Sequence, residues 1–159
     1  MEIGEGVDMS SMDIIELCAL SREQVAELQL LMRELAPDIM VSAEKLNNAA
    51  QAAGSHLFVA IGQDGHIVGC ASLCEFDSPT GRKASVEDVV VLNDYRGRGI
   101  GRALMEHVIA YASRELKDVD LHLTSHPSRV AANALYRSLG FEKRDTNFYR
   151  MRIRENDNR

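Results

Sequence analysis

One stretch, residues 85–104, constrains the fold of this chain more than any other part of the sequence. An apolar, β-branched run, Ser85–Leu92, leads through a short turn into a loop that reads Arg-Gly-Arg-Gly-Ile-Gly-Arg. Beyond this loop apolar residues recur at helical spacing, at Leu104, Val108, Ala112 and Leu116. The sequence therefore predicts a buried strand, a glycine-rich loop and a helix of about four turns, joined almost without spacers.

The loop has the properties of an anion-binding site. The first turn of a helix presents backbone N–H groups and the positive end of the helix dipole. Three glycines leave those amides accessible to a phosphate, at Gly97, Gly99 and Gly101. Three arginines add forked donors suited to phosphate oxygens, at Arg96, Arg98 and Arg102. This positive cluster is informative because the chain as a whole carries a net charge of −6.

The spacing of the loop excludes two common nucleotide motifs. A P-loop ends in Gly-Lys-Ser/Thr, whereas Gly101 is followed by Arg102 and Ala103. The dinucleotide fingerprint Gly-x-Gly-x-x-Gly fails because Arg102 occupies the place of its third glycine. A different phosphate-bearing ligand is therefore expected.

The pattern Arg-x-x-Gly-x-Gly after a strand is matched by Arg96–Gly101. This resembles the acyl-coenzyme A binding motif of the GNAT superfamily of N-acetyltransferases. The resemblance implies that acetyl-CoA is the cofactor, with its pyrophosphate on the loop amides and its pantetheine arm along the preceding strand. The cofactor-binding residues implied are Val89, Val90, Val91, Arg96, Gly97, Arg98, Gly99, Ile100, Gly101, Arg102 and Asn133.

A second signature lies near the C-terminus. The segment Ala132–Phe141 matches Ala-x-x-Leu-Tyr-x-x-x-Gly-Phe, which resembles another motif of the same superfamily. Asn133 and Tyr136 are three residues apart and therefore share one helix face. The resemblance implies that Tyr136 is the general acid, since a phenol with a pKa of about 10 can donate to a departing thiolate. A tyrosine that simply packs over the core is the alternative.

The general base is less well defined by the sequence. An alkylammonium has a pKa of about 10.4, so a base that removes a proton from the amine would assist the reaction. Glu87, two residues before Val89, is the best candidate. Histone-acetylating members carry their glutamate at a position that aligns with Ser85, so the base is not assigned by the motif. Strand alternation sends Glu87 and Asp88 to opposite faces unless a bulge intervenes, and a Glu87–arginine pair between strands is the alternative.

Composition limits the class of protein. A chain of 159 residues with 45% hydrophobic residues is expected to form one domain with its own core. The acidic balance argues against nucleic acid as a partner, and no apolar run approaches the roughly 20 residues of a membrane span. The three cysteines, Cys18, Cys70 and Cys74, are interpreted as reduced thiols of a cytoplasmic protein. His122 and His126 do not share a helix face, and no metal site is predicted.

The predicted elements follow the order strand, two helices, three strands, helix, strand, helix and two strands. The predicted strands are Asp13–Ala19, Leu57–Ile61, His66–Glu75, Ala84–Leu92, Val119–Thr124, a short one from Phe141, and Asn147–Ile153. Between them lie a helix capped by Ser21 and ended by Pro37, then Ala43–Ala53, a helix from Ile100, and Ser128–Leu139. Composition also predicts a loop at Asp77–Gly81.

This order resembles the GNAT fold. The resemblance implies an α+β domain with a mixed, mostly antiparallel sheet of about seven strands, helices on both faces and splayed central strands. We expect the domain to span residues 11–153, between a flexible lead, residues 1–10, and a flexible tail, residues 154–159.

The function expected from the resemblance is transfer of an acetyl group from acetyl-CoA to a primary amine. The amine attacks directly in a ternary complex, and a small-molecule amine is the expected partner. A protein N-terminus or lysine is the alternative acceptor, and a non-catalytic CoA-binding sensor is the alternative class of protein. Whether the chain forms a homodimer is left open by the sequence.

Overall fold

A computed structural model of the chain describes residues 12–154. The predicted lead and residues 155–159 of the predicted tail lie outside that range. The chain divides into two compact units, one that ends at His126 and one that begins at Pro127.

The first unit is built on a five-stranded sheet with the strands in sequence order. Strands β1 to β4 pair in antiparallel fashion, and β5 is parallel to β4. The strands are β1 Asp13–Glu16, β2 Ser55–Ile61, β3 Ile67–Ser78, β4 Gly81–Val91 and β5 Asp120–Leu123. The mixed, mostly antiparallel α+β architecture agrees with the prediction. The prediction of about seven strands is wrong, because the described residues form five.

Within residues 12–154, four α-helices accompany the strands. In the first unit these are α1 Arg22–Leu35, α2 Ala43–Gln51 and α3 Ile100–Tyr111, and the second unit contains α4 Val130–Ser138. A 3-10 turn, Asn93–Tyr95, follows β4, and one π-helical turn, Ala112–Leu116, extends α3. The predicted helix Ser128–Leu139 begins too early, because α4 starts at Val130, with Arg129 and not Ser128 at its N-cap.

The sheet is covered by helices on both faces. Leu57 and Val59 of β2 belong to one buried cluster with Leu28 and Leu31 of α1. Phe58, between them in sequence, packs edge-on against the rings of His107 and Tyr111 in α3. Successive side chains of a strand point to opposite faces, so α1 and α3 lie on opposite sides of the sheet.

The β3–β4 hairpin is tighter than its composition suggests. Asp77 pairs with Arg82 and Ser78 with Gly81, so only Pro79 and Thr80 connect the strands. The predicted loop at Asp77–Gly81 is therefore too long. Gly81 makes the short connection feasible, because its φ of 121° is strained for any residue with a side chain.

The prediction of two C-terminal strands, a short one from Phe141 and one at Asn147–Ile153, is wrong. Residues 141–154 form neither helix nor strand, and large side chains there are highly exposed, among them Phe148, Tyr149, Met151 and Ile153. Alternation establishes that a segment is suited to a sheet, but a strand also needs a hydrogen-bonding partner at the correct register. The described part of the chain provides no such partner for this segment.

Candidate active site

Strand β4 pairs with β5 over only four of its eleven residues, and its C-terminal half lies beyond this pairing. Its residues Lys83–Val86 pair with Asp120–Leu123 of β5. The rest of β4, Glu87–Val91, has no strand on that side among the residues described. The pairing thus stops midway along β4. The splayed central strands that the family resemblance implies stay a prediction. On this edge no strand of the described residues occupies the main-chain groups of the second half, although the Val91 carbonyl accepts a hydrogen bond from Arg96 Nε.

A β-bulge interrupts β4 at the start of this unpaired half. Cys70 of β3 pairs with Val90, and Ser72 pairs with Glu87, so Asp88 and Val89 together oppose Ala71. Asp88 adopts a φ of 50°, in the left-handed region. The sequence had identified a bulge as the exception to strict alternation at this point.

The bulge determines which face of the sheet carries Glu87. Residues that pair across two strands lie on the same face of the sheet. Cys70 and Ser72 are two residues apart on β3 and therefore share a face. Their partners on β4, Val90 and Glu87, consequently lie on that face as well. Val90 and Cys70 belong to the buried cluster that contains α1 and α2 side chains. Glu87 is therefore an exposed carboxylate on the face covered by helices α1 and α2.

The electrostatic environment distinguishes the two adjacent carboxylates. The Glu87 carboxylate accepts a hydrogen bond from the Ser85 hydroxyl on the same strand. Desolvation raises the pKa of Asp88, and the nearby negative charge of Glu87 raises it further. Glu87 is thus the carboxylate held by a local donor, whereas Asp88 retains its proton to a higher pH than a solvated aspartate.

The glycine loop has the backbone conformation that its sequence requires. Gly97 and Gly99 have φ angles of 73° and 80°, which residues with side chains rarely adopt. A Cβ atom at Gly97 would meet none of the described atoms within 4 Å, so the glycine is explained by conformation and not by packing. Gly99 is also the N-cap of α3, where its carbonyl accepts the first helical hydrogen bond, from Ala103 N, at 3.0 Å.

The start of α3 presents main-chain donors beside positive charge. The amides of Ile100 and Gly101 precede that first helical bond, so they have no acceptor within the helix. Arg98 lies with its guanidinium 5.2 Å from the centre of the Tyr95 ring. Arg102 forms an i, i+4 pair with Glu106 at 3.5 Å and leaves 45% of its side chain exposed. The arrangement favours an anion at this helix end.

Arg96, the first arginine of the motif, is bonded to neighbouring elements of the protein, although 54% of its side chain is exposed. Its Nε donates to the carbonyl of Val91 at 3.0 Å, and Nη2 donates to Glu34 Oε2 at 3.3 Å. These contacts fix the loop to the end of β4 and to helix α1. A contact between Arg96 and the cofactor remains a prediction.

Tyr136 lies in the second unit, on α4, and is 6% exposed. Desolvation raises the pKa of its phenol, while Arg129, which is hydrogen-bonded to it, acts in the opposite direction. The hydroxyl therefore remains protonated at neutral pH, as a general acid requires. Asn133 precedes Tyr136 by one helical turn. The roles of both residues in catalysis and cofactor binding remain predictions.

The end of α4 explains the Gly-Phe pair of the second signature. Gly140 has a φ of 94°, the left-handed conformation that ends many helices. The chain reverses so that Phe141 N donates to the Tyr136 carbonyl at 3.1 Å, and the two rings pack edge to face. The Gly-Phe pair thus holds Tyr136 in place.

Sequence reasoning missed Glu34 and the hydroxyl of Ser85 as contacts of the site. Glu34 lies on the polar side of an ordinary amphipathic helix, and no local signal marks its contact with a loop some 60 residues away. The sequence marks Ser85 only as the position that aligns with the glutamate of histone-acetylating members of the superfamily. The hydrogen bond between Ser85 and Glu87 follows from their two-residue spacing, which places both side chains on one face of the strand. This spacing can be read from the sequence.

Other groups that could form a catalytic or metal-binding site are less suited to that role. Burial raises the pKa of the Cys70 thiol to about 12, which makes it a poor nucleophile. In the range covered by the structure, no group of three or more His, Cys, Asp or Glu side chains is arranged to hold a metal ion. Within that range, too, no helix has the length and apolar character needed to cross a membrane.

Comparison with known proteins adds independent information. Streptothricin acetyltransferase of Streptomyces lavendulae is 36% identical over 91 residues, which are 56% of this chain and 46% of that protein. The match therefore spans less than half of the length of this relative. An acetyltransferase structure from Trypanosoma brucei is 26% identical, with a TM-score of 0.68 over 90% of this chain and 99% of the other.

A further solved structure has the same fold. Aminoglycoside N-acetyltransferase AAC(6')-Iy in complex with CoA is 22% identical, with a TM-score of 0.71 over 89% of this chain and 95% of the other. The model of the acetyltransferase (GNAT) family matches residues 22–141, which include most of the chain and both signatures. The chain belongs to the acetyltransferase (GNAT) family.

Proposed function

We propose that the protein transfers an acetyl group from acetyl-CoA to the primary amine of a small molecule. The observation that carries the proposal is the adjacency of two features: the half-paired strand β4 and the glycine loop that opens α3. Together they offer main-chain donors to a diphosphate and a strand edge to an extended amide-containing chain. Acetyl-CoA has both of these parts in one molecule.

The cofactor is assigned to the loop and strand as follows. The diphosphate binds the amides between Gly97 and Gly101, with Arg98 and Arg102 adding charge. The pantetheine amides pair with the backbone of Val89–Val91, where the Val91 carbonyl exchanges its bond from Arg96 Nε for one from the cofactor, and Asn133 contributes a polar contact. The CoA complex of AAC(6')-Iy, a protein of the same fold, supports the choice of cofactor.

The proposed reaction is a direct aminolysis of the thioester. The amine nitrogen attacks the acetyl carbon, the C–N bond forms, and the C–S bond breaks with its electron pair on sulfur. Tyr136 donates its proton to the departing thiolate, and Glu87 accepts a proton from the amine, directly or through water. At neutral pH only about one alkylamine molecule in a few thousand is unprotonated. A base that removes the proton therefore increases the amount of amine that can attack.

A small cationic acceptor is favoured by charge. Glu87 and Asp88 place two carboxyl groups at the start of the unpaired half of β4 in a chain of net charge −6. A protonated amine is attracted to that region before it loses its proton. The relative that acts on streptothricin supports a small-molecule substrate. Protein N-termini and lysines remain the alternative acceptors.

The experiment that tests the proposal combines binding with turnover. Acetyl-CoA is titrated by calorimetry, and a panel of aminoglycosides, streptothricin, polyamines and peptides is then screened for release of free thiol. We expect saturable binding and thiol release with one or more small amines. Binding without thiol release across the panel would identify a CoA sensor, and release only with peptides would identify a protein acetyltransferase. Absence of acetyl-CoA binding would refute the proposal.

Tyr136→Phe tests the general acid. The variant keeps the ring and its contact with Phe141 but has no proton to donate, so kcat is expected to fall about tenfold or more. The Kd for acetyl-CoA should remain unchanged. Tyr149→Phe is the matched control, because Tyr149 is 86% exposed and has no assigned role. A Tyr136→Phe enzyme with the wild-type kcat would exclude the acid role.

A further inference from the structure

Helix α1 makes a direct polar contact with the loop that we assign to the cofactor. Near the end of α1, Glu34 Oε2 accepts a hydrogen bond from the backbone N–H of Asn93 at 2.8 Å. The same oxygen accepts a second bond from Arg96 Nη2 at 3.3 Å. One carboxylate thus holds both the turn after β4 and the first arginine of the glycine motif.

Arg96 extends this contact to the strand. Its Nε donates to the Val91 carbonyl at 3.0 Å, and Nη1 lies 3.5 Å from Asn93 Oδ1. The guanidinium therefore joins the end of β4, the 3-10 turn and helix α1. The links reach from Arg96 back along the chain to Asn93 and Val91, and across the fold to Glu34.

We propose that Glu34 is a positioning residue for the glycine loop. It acts through Asn93 and Arg96 and holds the loop entry in the conformation that presents the amides of residues 97–101. For the effect on acetyl-CoA, the inference rests on the proposed function.

The physical reason is preorganisation. Gly97 and Gly99 give the loop a flexible backbone, and ordering such a segment on binding reduces affinity. A hydrogen bond from a backbone amide to a carboxylate is stronger than a neutral one, so Glu34 orders the turn before the ligand arrives. The exposed ion pair between Glu34 and Arg96 would contribute little to stability by itself. It uses the same carboxylate oxygen as the bond from the Asn93 N–H, however, and so adds to that contact.

The opposite effect of Glu34, weaker binding of the cofactor, has an equally clear physical basis, so an experiment can distinguish the two. A carboxylate beside a diphosphate repels it and draws Arg96 away from it. If Glu34 acted mainly in this way, its neutralisation would strengthen cofactor binding. The sign of the change in Kd therefore separates positioning from competition.

The test uses Glu34→Gln and Glu34→Ala in the full chain. Glutamine keeps an oxygen for Asn93 N–H but loses the charge on Arg96, whereas alanine loses both. We expect the Kd for CoA, measured by calorimetry, to rise about fivefold in the glutamine variant and further in the alanine variant. The kcat at saturating acetyl-CoA should remain within about twofold of wild type, because positioning affects binding and not the reacting atoms. In Arg96→Gln, the added effect of Glu34→Gln should be smaller.

Hydrogen exchange of the unliganded protein provides a readout that does not need the cofactor. Amides of the turn and loop, residues 93–101, should exchange faster in both variants, while amides of the sheet should change much less. Glu115→Gln, which disrupts the exposed Arg114–Glu115 pair, is the matched control and should alter neither readout.

The outcomes distinguish the two proposals. Unchanged exchange in the loop would overturn the inference, and so would CoA binding that is unchanged or tighter in Glu34→Gln. Faster exchange in the loop of a protein that binds no CoA in any form would support the positioning role and refute the proposed function.

Discussion

Asp88 shows how one residue determines the geometry of this region. As the first residue of the bulge it adopts a left-handed conformation, which asparagine and aspartate tolerate better than other residues with side chains. The extra residue resets the alternation of β4 so that Glu87 and Val90 share a face. Strained backbone of this kind is concentrated at functional sites, and here it borders the unpaired half of the strand.

The charge of Asp88 is predicted to destabilise the folded protein. Its pKa is raised by desolvation and by Glu87, so the folded state binds its proton more tightly than the unfolded state. Stability is then lost as pH rises from the unfolded pKa through the raised folded pKa. Asp88→Asn should therefore raise the melting temperature at pH 7, and this gain should disappear as pH falls below about 4.

Asp88→Ala separates charge from backbone strain. Alanine also removes the charge, but it is disfavoured at a φ of 50°. We expect it to be less stable than the asparagine variant by about 1 kcal/mol in urea unfolding at pH 7. Equal stability of the two variants would show that the left-handed conformation is not maintained.

Among the elements, α1 has the clearest local determinants. Ser21 Oγ accepts from Gln24 N at 3.1 Å, and Gln24 Oε1 accepts from Ser21 N at 2.9 Å, which together form the predicted capping box. Helix α2 has a simpler cap, in which Ser42 Oγ accepts from Lys45 N at 3.2 Å. Because α1 carries Glu34, its start also affects the position of a residue that contacts the glycine loop.

Removal of the two caps should lower the free energy of unfolding by different amounts. Ser21→Ala is expected to lower the free energy of unfolding by about 1 kcal/mol, since it breaks the reciprocal pair of bonds. Ser42→Ala, which removes a single bond, should have a smaller effect. Urea titrations followed by circular dichroism measure both. A larger loss for Ser42→Ala would contradict this order.

The elements show what the sequence can predict. The glycine loop, the capping box and the helix from Ile100 depend on neighbours in sequence, and the structure contains all three. The bulge at Asp88, the contact of Glu34 with Asn93 and the absence of the two C-terminal strands depend on partners distant in sequence. Residue patterns report propensity and face, but they do not report which strand or helix supplies the partner.

At the scale of the whole first unit, His56 joins four elements. From β2 its Nδ1 lies 2.8 Å from Glu16 of β1 and 3.1 Å from the hydroxyl of Tyr111 in α3, and its Nε2 lies 3.4 Å from Glu75 of β3. The side chain is 15% exposed. This imidazole lies between two partly exposed carboxylates and contacts both of them.

Replacement of His56 should weaken the whole first unit. His56→Ala leaves two carboxylates and a tyrosine hydroxyl without this partner, and we expect a loss of about 2 kcal/mol in the free energy of unfolding. His66→Ala is the control, because the His66–Glu27 pair lies at the surface, where ion pairs contribute little. Similar losses for the two variants would show that His56 has no special role.

The half-paired strand has a consequence for how such proteins diverge. Recognition through amide and carbonyl groups of the main chain is not erased when side chains are replaced. If β4 holds the acyl donor as proposed, side chains such as those of Val89 and Val91 can change while the main-chain contacts persist, provided that the bulge and the glycines of the loop remain. Selection can then act on the amine pocket alone, which would let one scaffold acquire new acceptors while it retains a common donor.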